Sequence, residues 1–400
     1  MRVAKSIDLT HILIVGAGGI GSEFIHILLG SSFTGDLAIV DMDLIEISNL
    51  NRQTFFTVAD LGQNKAEILS AKVNEISNGR IRATAYPLAI EDPHFSPQWI
   101  EKFGCVVSCL DNIEGRECLN RLCFLAGVPI IESGSAGFLG QVQTIVFGQS
   151  ECYVCRGPNT RANFPVCTIR GRPTNWHHCV HWTTHELIPV LSSLNFPLTK
   201  EDLAGHLSEY NRRADLNQLY AILTNVSTPA DLVQLETIHQ LAKCRAFYFA
   251  IEVPSVSETQ NIIDRTVPSI ITTNTIIGSL ISLALKDLCT NQTLYEYYLT
   301  LYSPIKKLTT SPPAKDCPVC SCTPLRLDFN PTETLHDLLA KHGLFSPTIS
   351  VVSEGHNLVY DEEYTANLFL PITNWARPAS IFKLHTATTT YLIYLTPIPI

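Results

Sequence analysis

Four cysteines in two matched pairs are the clearest sign of metal chemistry in this chain. Cys152 and Cys155 form one Cys-x-x-Cys motif, and Cys317 and Cys320 form a second. Two such pairs supply four thiolates for a closed, tetrahedral zinc site with no open position for catalysis. The wide separation of the motifs indicates that the zinc holds together the two ends of a large insertion. Cys322 lies close by, and we do not count it as a ligand.

The remaining cysteines bear on the redox compartment. The chain has 13 cysteines, and its first residues lack the apolar stretch of a signal peptide. We therefore expect a reducing compartment, where cysteines bind metals or act in catalysis more often than they form disulfides. Cys105, Cys109, Cys118 and Cys123 lie in apolar segments and are predicted to be core residues. Cys167 stands alone in a polar stretch.

A glycine-rich loop follows the first apolar run. Residues 11–15 are predicted to form a buried strand, an amphipathic stretch follows the loop, and a second strand ends at Asp41. This order is typical of dinucleotide-binding units, in which glycines let backbone N–H groups approach phosphate at a helix N-terminus. Asp41 is placed to accept hydrogen bonds from ribose hydroxyls. The loop consists of Gly16, Ala17, Gly18, Gly19, Ile20 and Gly21.

Cations and an acid after the second strand indicate which nucleotide binds. Arg52 follows an Asn-Leu-Asn stretch, Lys65 opens a predicted helix, and Arg116 lies one helical turn beyond Asp111. Fixed cations suit a triphosphate, and an acid at a strand's carboxyl end suits Mg²⁺. Each cation alone could be a solvated surface charge, but three in one nucleotide-binding unit favour phosphate contacts.

Composition excludes several classes of protein. The chain has 400 residues, of which 46% are hydrophobic and 16% charged, so we expect two or three globular domains. A net charge of −9 argues against a nucleic-acid partner, which needs a basic surface. No apolar run approaches the roughly 18 residues of a membrane span, so we expect no membrane association.

Several motifs together resemble a known family. The GAGGIG loop, the DMDLIEISNLNRQ stretch, the Lys65 helix and the SCLDN strand end resemble the adenylation domain of ubiquitin-like modifier activating enzymes. Bacterial sulfur-carrier adenylyltransferases share that domain. IESGSAGFLGQV, from residue 131, and FPVCTIR, from residue 164, are similar to the SUMO branch of the family. The resemblance extends from about residue 11 to the C-terminus and is thin between about 185 and 260.

The resemblance implies a two-step reaction. The modifier's C-terminal glycine carboxylate attacks the α-phosphate of ATP and forms an acyl-adenylate and pyrophosphate. The thiolate of Cys167 then takes the acyl group as a thioester, which passes to a conjugating enzyme. The implied partners are the modifier SUMO, a SUMO-conjugating enzyme and a homologous, non-catalytic subunit that completes a heterodimer. The implied location is the nucleus, with the cytoplasm as a second possibility.

The resemblance also implies the site residues and cofactors. ATP, Mg²⁺ and a structural Zn²⁺ are expected, with Asp111 as the magnesium ligand. Asn49, Arg52 and Lys65 are implied to contact phosphates, and Ala89 and Ile90 to line the adenine side. The full set of implied nucleotide-binding residues is Gly16, Ala17, Gly18, Gly19, Ile20, Gly21, Asp41, Asn49, Leu50, Asn51, Arg52, Lys65, Ala89, Ile90, Asp111, Asn112, Ile113, Glu114, Gly115 and Arg116.

The predicted architecture is α/β with an insertion and a C-terminal module. A Rossmann-like adenylation domain occupies residues 1–160 and returns over 266–320, after a mainly helical catalytic-cysteine insertion at 161–265. Helices are predicted at 200–211, 215–223 and 229–242, then a long apolar helix to residue 288 and a strand at 295–302. Residues 321–400 are predicted to be a ubiquitin-fold β-grasp module with strands at 325–329, 348–352, 381–384 and 391–395 and a helix at 334–342.

Three alternatives remain open at this point. An activating subunit for a Rub-type modifier shares the general plan. An NAD(P)-dependent oxidoreductase shares the glycine loop, but that class predicts neither the zinc cysteines nor the CTIR nucleophile. A scaffold that binds a modifier without activating it is the third, and the presence of Arg52, Lys65, Asp111 and Cys167 together argues against it.

Overall fold

The computed structural model describes most of the chain in several stretches. These are residues 8–156, 173, 175–192, 194, 216–264, 269–290, 293–300, 303–346, 348–353, 358–374, 376 and 380–398. The predicted nucleophile Cys167 and the predicted helix at 200–211 lie outside the described residues.

A large mixed sheet forms the first unit. Its strand order is β3-β2-β1-β4-β5-β6-β7-β8. The first five strands in that order pair in parallel, and the last three are antiparallel. The strands are β1 (His11–Val15), β2 (Gly35–Val40), β3 (Ile81–Tyr86), β4 (Cys105–Ser108), β5 (Ile130–Ala136), β6 (Leu139–Ile145), β7 (Tyr295–Thr300) and β8 (Ser303–Thr309).

Helices cover both faces of this sheet, as parallel strands buried on both sides require. On one face, Ile12 and Ile14 pack with α1, α2 and the long helix α10. On the other face, Leu13 and Val15 pack with α3 and α4. The helices are α1 (Gly19–Gly30), α2 (Lys65–Ser77), α3 (Pro97–Ile100), α4 (Ile113–Ala126) and, from the return segment, α10 (Ile271–Thr290).

A helical region lies between the two parts of the first unit and has a core of its own. Trp176, Cys179, Leu241 and Ala242 are among its buried residues. Its helices are α5 (Trp176–Trp182), a π-helical stretch (Thr183–Leu187), α6 (Ile188–Ser192), α7 (Leu216–Leu223), α8 (Leu235–Tyr248) and α9 (Val256–Asp264). A 3₁₀ turn at Pro229–Val233 precedes α8. Pro229 suits the first position of this turn, and the Asp231 side chain accepts the backbone N–H of Thr228 at its start.

A second, five-stranded sheet forms the C-terminal unit. Its order is β11-β10-β12-β13-β9, and its first and last strands in the chain, β9 and β13, pair in parallel. Its elements are β9 (Thr323–Phe329), α11 (Leu335–Lys341), β10 (Ser350–Ser353), β11 (Leu358–Tyr360), β12 (Ile381–His385) and β13 (Thr390–Pro397). One face packs on α11. The other packs Ile381, Leu392 and Tyr394 into the core around α4.

The α/β class and the strand, loop, helix, strand order of the nucleotide-binding unit are confirmed. The predicted strand at 295–302 is confirmed over Tyr295–Thr300, and its last two residues lie outside the described residues. The sequence did not indicate β8, because its side chains are almost all exposed. β11 was missed because three residues are too few for an alternating pattern. The boundaries at residues 160, 265 and 320 stay predictions. Among the described residues, none of the helices has both the length and the apolar character to cross a bilayer.

Candidate functional site

A pocket opens at the carboxyl ends of the parallel strands. It lies where the chain leaves β1 for the helix α1 and where β4 enters α4, which is the position at which open α/β sheets bind ligands. Its wall contains Gly16, Gly18, Gly19, Ile20, Asp41, Lys65, Ala89, Ile90, Asp111, Asn112 and Arg116 from the predicted set. It also contains Val15, Val40, Met42, Asp43, Leu88, Glu91, Cys109, Leu110, Ser135, Ser269 and Asn274.

Two glycines of the loop are required by close backbone approaches. Gly16 has φ +103°, and a Cβ there would lie 2.5 Å from the carbonyl oxygen of Cys109 at the end of β4. A Cβ on Gly21 would lie 2.0 Å from the carbonyl oxygen of Gly16. These contacts hold α1 against the strand ends, so the start of the helix and its N–H groups face the pocket.

Asp41 connects the end of β2 to the glycine loop. Its carboxylate accepts hydrogen bonds from the backbone N–H of Ala17, at 2.7 Å, and of Asp43, at 2.8 Å. Burial raises the pKa of Asp41 to about 6, although the charge of Lys65 opposes the shift. The carboxylate is therefore both an acceptor that fixes the loop and a group that titrates just below neutral pH.

Lys65 is the fixed cation of the pocket. Its side chain is 4% exposed, and Nζ lies 2.9 Å from Oδ2 of Asp43. Burial disfavours its charge, but the carboxylates of Asp41, Asp43 and Asp111 outweigh burial and hold its pKa above the usual lysine value. Asn64 caps the helix that carries it by accepting from the N–H groups of Ala66 and Glu67. Lys65 thus stays charged at every physiological pH.

Three aspartates, besides Glu91, share the pocket with Lys65. Asp111 follows β4, and Asp41 and Asp43 follow β2. Carboxylate oxygens are the protein ligands that Mg²⁺ prefers, usually one or two of them together with substrate phosphates. Among the described residues these carboxylates form no cluster of three ligand atoms within 4.8 Å, so one or two of them would hold Mg²⁺ only together with the substrate phosphates.

Arg116 also reaches the pocket wall, but its charge is already balanced. Its guanidinium pairs with the carboxylate of Glu132 on β5 and donates to the carbonyl oxygen of Leu110. Burial raises the pKa of Glu132, and the charge of Arg116 opposes that shift. The sequence predicts Arg116 as a cation for phosphate, and the structure adds that it forms a buried ion pair with Glu132 on the pocket wall. Its phosphate contact stays a prediction.

The four predicted zinc ligands lie together in the structure. The thiol sulfurs of Cys152, Cys155, Cys317 and Cys320 all lie within 4.8 Å of one another. Three of the Sγ–Sγ distances are 3.7 Å for 152 to 317, 3.6 Å for 155 to 320 and 3.8 Å for 152 to 155. A tetrahedron with Zn–S bonds of about 2.3 Å has edges of about 3.8 Å, so the cluster fits zinc. Among the described residues, no other group of three or more such side chains has this proximity.

Comparison with known proteins adds the family. A model described as the ThiF family matches residues 2–323 of the chain. The chain belongs to the ThiF family.

The relatives of this ThiF-family chain include modifier-activating proteins. It is 42% identical over 171 residues to "SUMO-activating enzyme subunit 2" of Dictyostelium discoideum, which covers 43% of this chain and 26% of that protein. It is 37% identical over 188 residues to "Ubiquitin-activating enzyme E1-like" of Saccharomyces cerevisiae, and this alignment covers 47% of this chain and 29% of that protein. It is 36% identical over 175 residues to "SUMO-activating enzyme subunit uba-2" of Caenorhabditis elegans, and this alignment covers 44% of this chain and 30% of that protein. Each alignment covers less than a third of the relative.

Nine predicted nucleotide-binding residues of this ThiF-family chain do not line the pocket. Asn49 accepts the N–H of Glu46 at 2.8 Å, and Arg52 donates from Nη1 to the carbonyl oxygen of Ser48, also at 2.8 Å. These hydrogen bonds stabilise the turn at residues 46–52. Their phosphate contacts stay predictions. The nine are Ala17, Gly21, Asn49, Leu50, Asn51, Arg52, Ile113, Glu114 and Gly115.

The sequence did not indicate five polar residues of the pocket wall: Asp43 and Glu91, which lie near predicted ones, and three from distant elements. Ser135 lies at the end of β5, Ser269 precedes α10, and Asn274 lies in the first turn of α10. In the sequence, Ser135 stands in the SGS stretch of a family motif, and Ser269 and Asn274 stand at the start of an apolar helix. Only the topology, which returns residue 269 to the end of β5, brings them to the site.

Proposed function

We propose that this chain is the catalytic subunit of a SUMO-activating enzyme, which adenylates the C-terminus of the modifier with ATP and then holds it as a thioester on Cys167. The observation that carries the proposal is the pocket. Its wall joins a glycine loop, the ribose acceptor Asp41, the cation Lys65 and the acid Asp111 in a chain 42% identical over 171 residues to a SUMO-activating subunit.

Each side chain has a defined part in the first step. The glycine loop presents N–H groups to the phosphates, Asp41 orients the ribose, and Lys65 balances phosphate charge. Mg²⁺, when bound, neutralises phosphate charge, and Asp111 is the residue that would hold it. The modifier's carboxylate oxygen attacks the α-phosphorus, and the bond to the β-phosphate oxygen breaks with its electrons leaving on pyrophosphate.

The second step uses the proposed nucleophile Cys167. Its thiolate attacks the acyl carbon and AMP leaves. The CTIR motif supports this role, and Arg170 is close enough in sequence to favour the thiolate. The four-cysteine cluster is proposed to hold a structural zinc at the base of the insertion that carries Cys167. Zinc there would supply no open coordination position.

The test is an ATP–pyrophosphate exchange assay with single modifiers. The chain is incubated with labelled pyrophosphate, ATP, a candidate partner subunit, and either SUMO or a Rub-type modifier. Exchange with SUMO and a dithiothreitol-sensitive adduct are expected. Exchange only with the Rub-type modifier would favour that alternative, and tight modifier binding without exchange would favour a non-catalytic scaffold.

Substitution of Cys167 separates the two steps. Cys167→Ala is expected to keep exchange and to lose the thioester completely, because adenylation and thioester formation use different groups. The matched control is Cys179→Ala, whose thiol is fully buried in the helical core and has a pKa raised to about 12 by burial. An adduct that survives in Cys167→Ala would refute the nucleophile assignment.

A further inference from the structure

One side of the pocket is built from residues that the proposed nucleotide contacts do not use. Ser135, Ser269 and Asn274 converge there from the end of β5, the return segment and the first turn of α10. The Asn274 side chain accepts a hydrogen bond from Oγ of Ser135 at 2.9 Å and donates one to Oγ of Ser269 at 3.1 Å. The residue is 1% exposed, so its amide is held in a fixed orientation.

The amide of Asn274 also sets the position of the glycine loop. A Cβ on Gly19 would lie 2.3 Å from Nδ2 of Asn274 and 3.2 Å from its Cγ. The three nearest atoms to that Cβ all belong to the Asn274 side chain, and Gly19 has no positive φ that would demand glycine. Glycine is therefore needed at residue 19 to make room for this amide.

The order of the strands assigns a direction to the pocket. Along the sheet edge the order is β2, β1, β4, β5, which places Asp41 at one end, the glycine loop and Asp111 between, and Ser135 at the other end. With the ribose on Asp41, the phosphates extend over the loop toward β4. The group that attacks the α-phosphate must therefore approach from the side of β5.

The charge on that side is suited to a carboxylate nucleophile. Arg116 stands beside Gly134, where a Cβ would lie 3.5 Å from its Nη2, but its charge is balanced by Glu132. The groups that remain are neutral hydroxyls and an amide. Neutral donors orient a carboxylate without the strong ion pair that would lower its nucleophilicity.

We propose that Asn274, supported by Ser135 and Ser269, positions the free C-terminal carboxylate of the modifier for attack on the α-phosphate. This assignment rests on the proposed adenylation function and adds the side of the same pocket that would receive the modifier's C-terminus. Asn274 is a substrate-positioning residue: it supplies hydrogen bonds and no proton, since attack by a carboxylate releases pyrophosphate without any proton transfer.

The experiment measures modifier-dependent exchange in the full chain with its partner subunit. Asn274→Ala is expected to raise the KM for the modifier roughly tenfold, because two hydrogen bonds that orient the site are lost. The KM for ATP should change less than twofold, roughly within the worth of one weak hydrogen bond. Ser135→Ala, which removes one of the two bonds, should move the modifier KM in the same direction by less.

A control variant and a double mutant distinguish the loss of substrate positioning from a non-specific disturbance of the helix. Thr273→Val removes a hydrogen bond to the carbonyl oxygen of Gly137 from the same helical turn, and Thr273 does not line the pocket. It should leave the modifier KM unchanged. Gly19→Ala should raise the modifier KM as Asn274→Ala does, by displacing the amide, and should also raise the KM for ATP, because Gly19 belongs to the loop that faces the phosphates. The modifier KM of the double mutant should be no higher than that of either single variant, because both act on one contact.

The outcomes distinguish this inference from the proposed function. A wild-type complex that shows no exchange with any modifier overturns the function and the positioning role together. A wild-type complex with exchange, whose Asn274→Ala variant keeps the normal modifier KM, overturns the positioning role alone. The positioning role is also overturned if Thr273→Val raises the modifier KM as much as Asn274→Ala does. It is overturned as well if the increases in modifier KM caused by Gly19→Ala and Asn274→Ala multiply in the double mutant.

Discussion

The nucleotide pocket and the four-cysteine cluster are two polar sites built in opposite ways. The cluster needs two short motifs, and its four sulfurs approach one another closely with two of the four cysteines fully buried. The pocket takes its lining from the ends of the five parallel strands, from the start of α2 and from the return segment. It keeps charged groups on an open wall, where Lys65 faces three carboxylates.

The difference shows how each site can fail. A closed site of four thiolates has no vacancy, so its loss should appear first as instability. An open site with charges held in place should lose chemistry while the fold survives, because those charges act on the substrate rather than on the core. The following substitutions test whether stability and chemistry divide in this way.

The largest effect is expected at the acid after β4. Asp111→Ala should reduce ATP–pyrophosphate exchange by a factor on the order of 1,000, because the proposed magnesium ligand is lost and phosphate charge is left uncompensated. The melting temperature should change little, because the side chain lies on the pocket wall. The measurement is exchange at saturating ATP, together with a thermal melt.

Glu117→Ala is the matched control for Asp111. It removes a carboxylate from the surface of the adjoining helix, where Glu117 pairs with Arg121 at 3.5 Å, and it is not on the pocket wall. Exchange should stay near normal in this variant. Near-normal exchange in Asp111→Ala itself would show that the acid holds no metal in the first step.

The second largest effect is expected at the cluster, and on stability. Cys317→Ser should lower the free energy of unfolding by on the order of 3 kcal/mol, because three thiolates hold zinc less tightly than four. Elemental analysis should find about one zinc per wild-type chain and less in the variant. Exchange should fall only as far as the fold loosens.

Cys322→Ala tests whether this effect belongs to the metal. Cys322 is buried beside the cluster but is not one of its four members. Its replacement should leave the zinc content at the wild-type value. Freshly prepared, active wild-type protein without zinc would show that the four cysteines serve another purpose.

The same contrast explains what could be predicted from the sequence. The four ligands are specified by local spacing, so a reader of the sequence finds them without knowing the fold. The glycine loop and Asp41 are also local, because a strand, a tight turn and a helix lie within one short stretch. Asn274 could not be found this way. Its place in the pocket depends on how a segment more than a hundred residues later returns to the sheet.

The ion pair of Arg116 could not be predicted for a related reason. A cation one helical turn after an acid looks free in the sequence, because its partner Glu132 lies on the next strand. Burial of both side chains makes that pairing necessary, since an unpaired charge there would cost several kcal/mol. The fold therefore decides whether a charge serves the substrate or another residue.

The smallest expected effect concerns pH and Asp41, at the end of the pocket proposed to bind the ribose. The carboxylate of Asp41 accepts N–H groups from Ala17 and Asp43, and its pKa of about 6 means that it gains a proton just below neutrality. A protonated carboxyl loses one acceptor, so the loop and the ribose position both loosen. If only the protein with an ionised Asp41 binds the nucleotide, affinity for a non-hydrolysable ATP analogue should therefore fall by roughly tenfold between pH 7 and pH 5.

The sign for stability is the reverse, and this separates binding from unfolding. Burial raises the pKa of Asp41 in the folded protein above its unfolded value, so the folded state binds the proton more tightly. The group therefore makes the fold less stable above about pH 6 and no longer does so as pH falls toward 4. Asp41→Asn, which has no titratable group at this position, should bind the analogue weakly. Its affinity should change with pH only as far as the phosphates of the analogue titrate. An equal slope in the wild type and in Asp41→Asn, measured by equilibrium titration from pH 5 to pH 8, would show that another group controls binding.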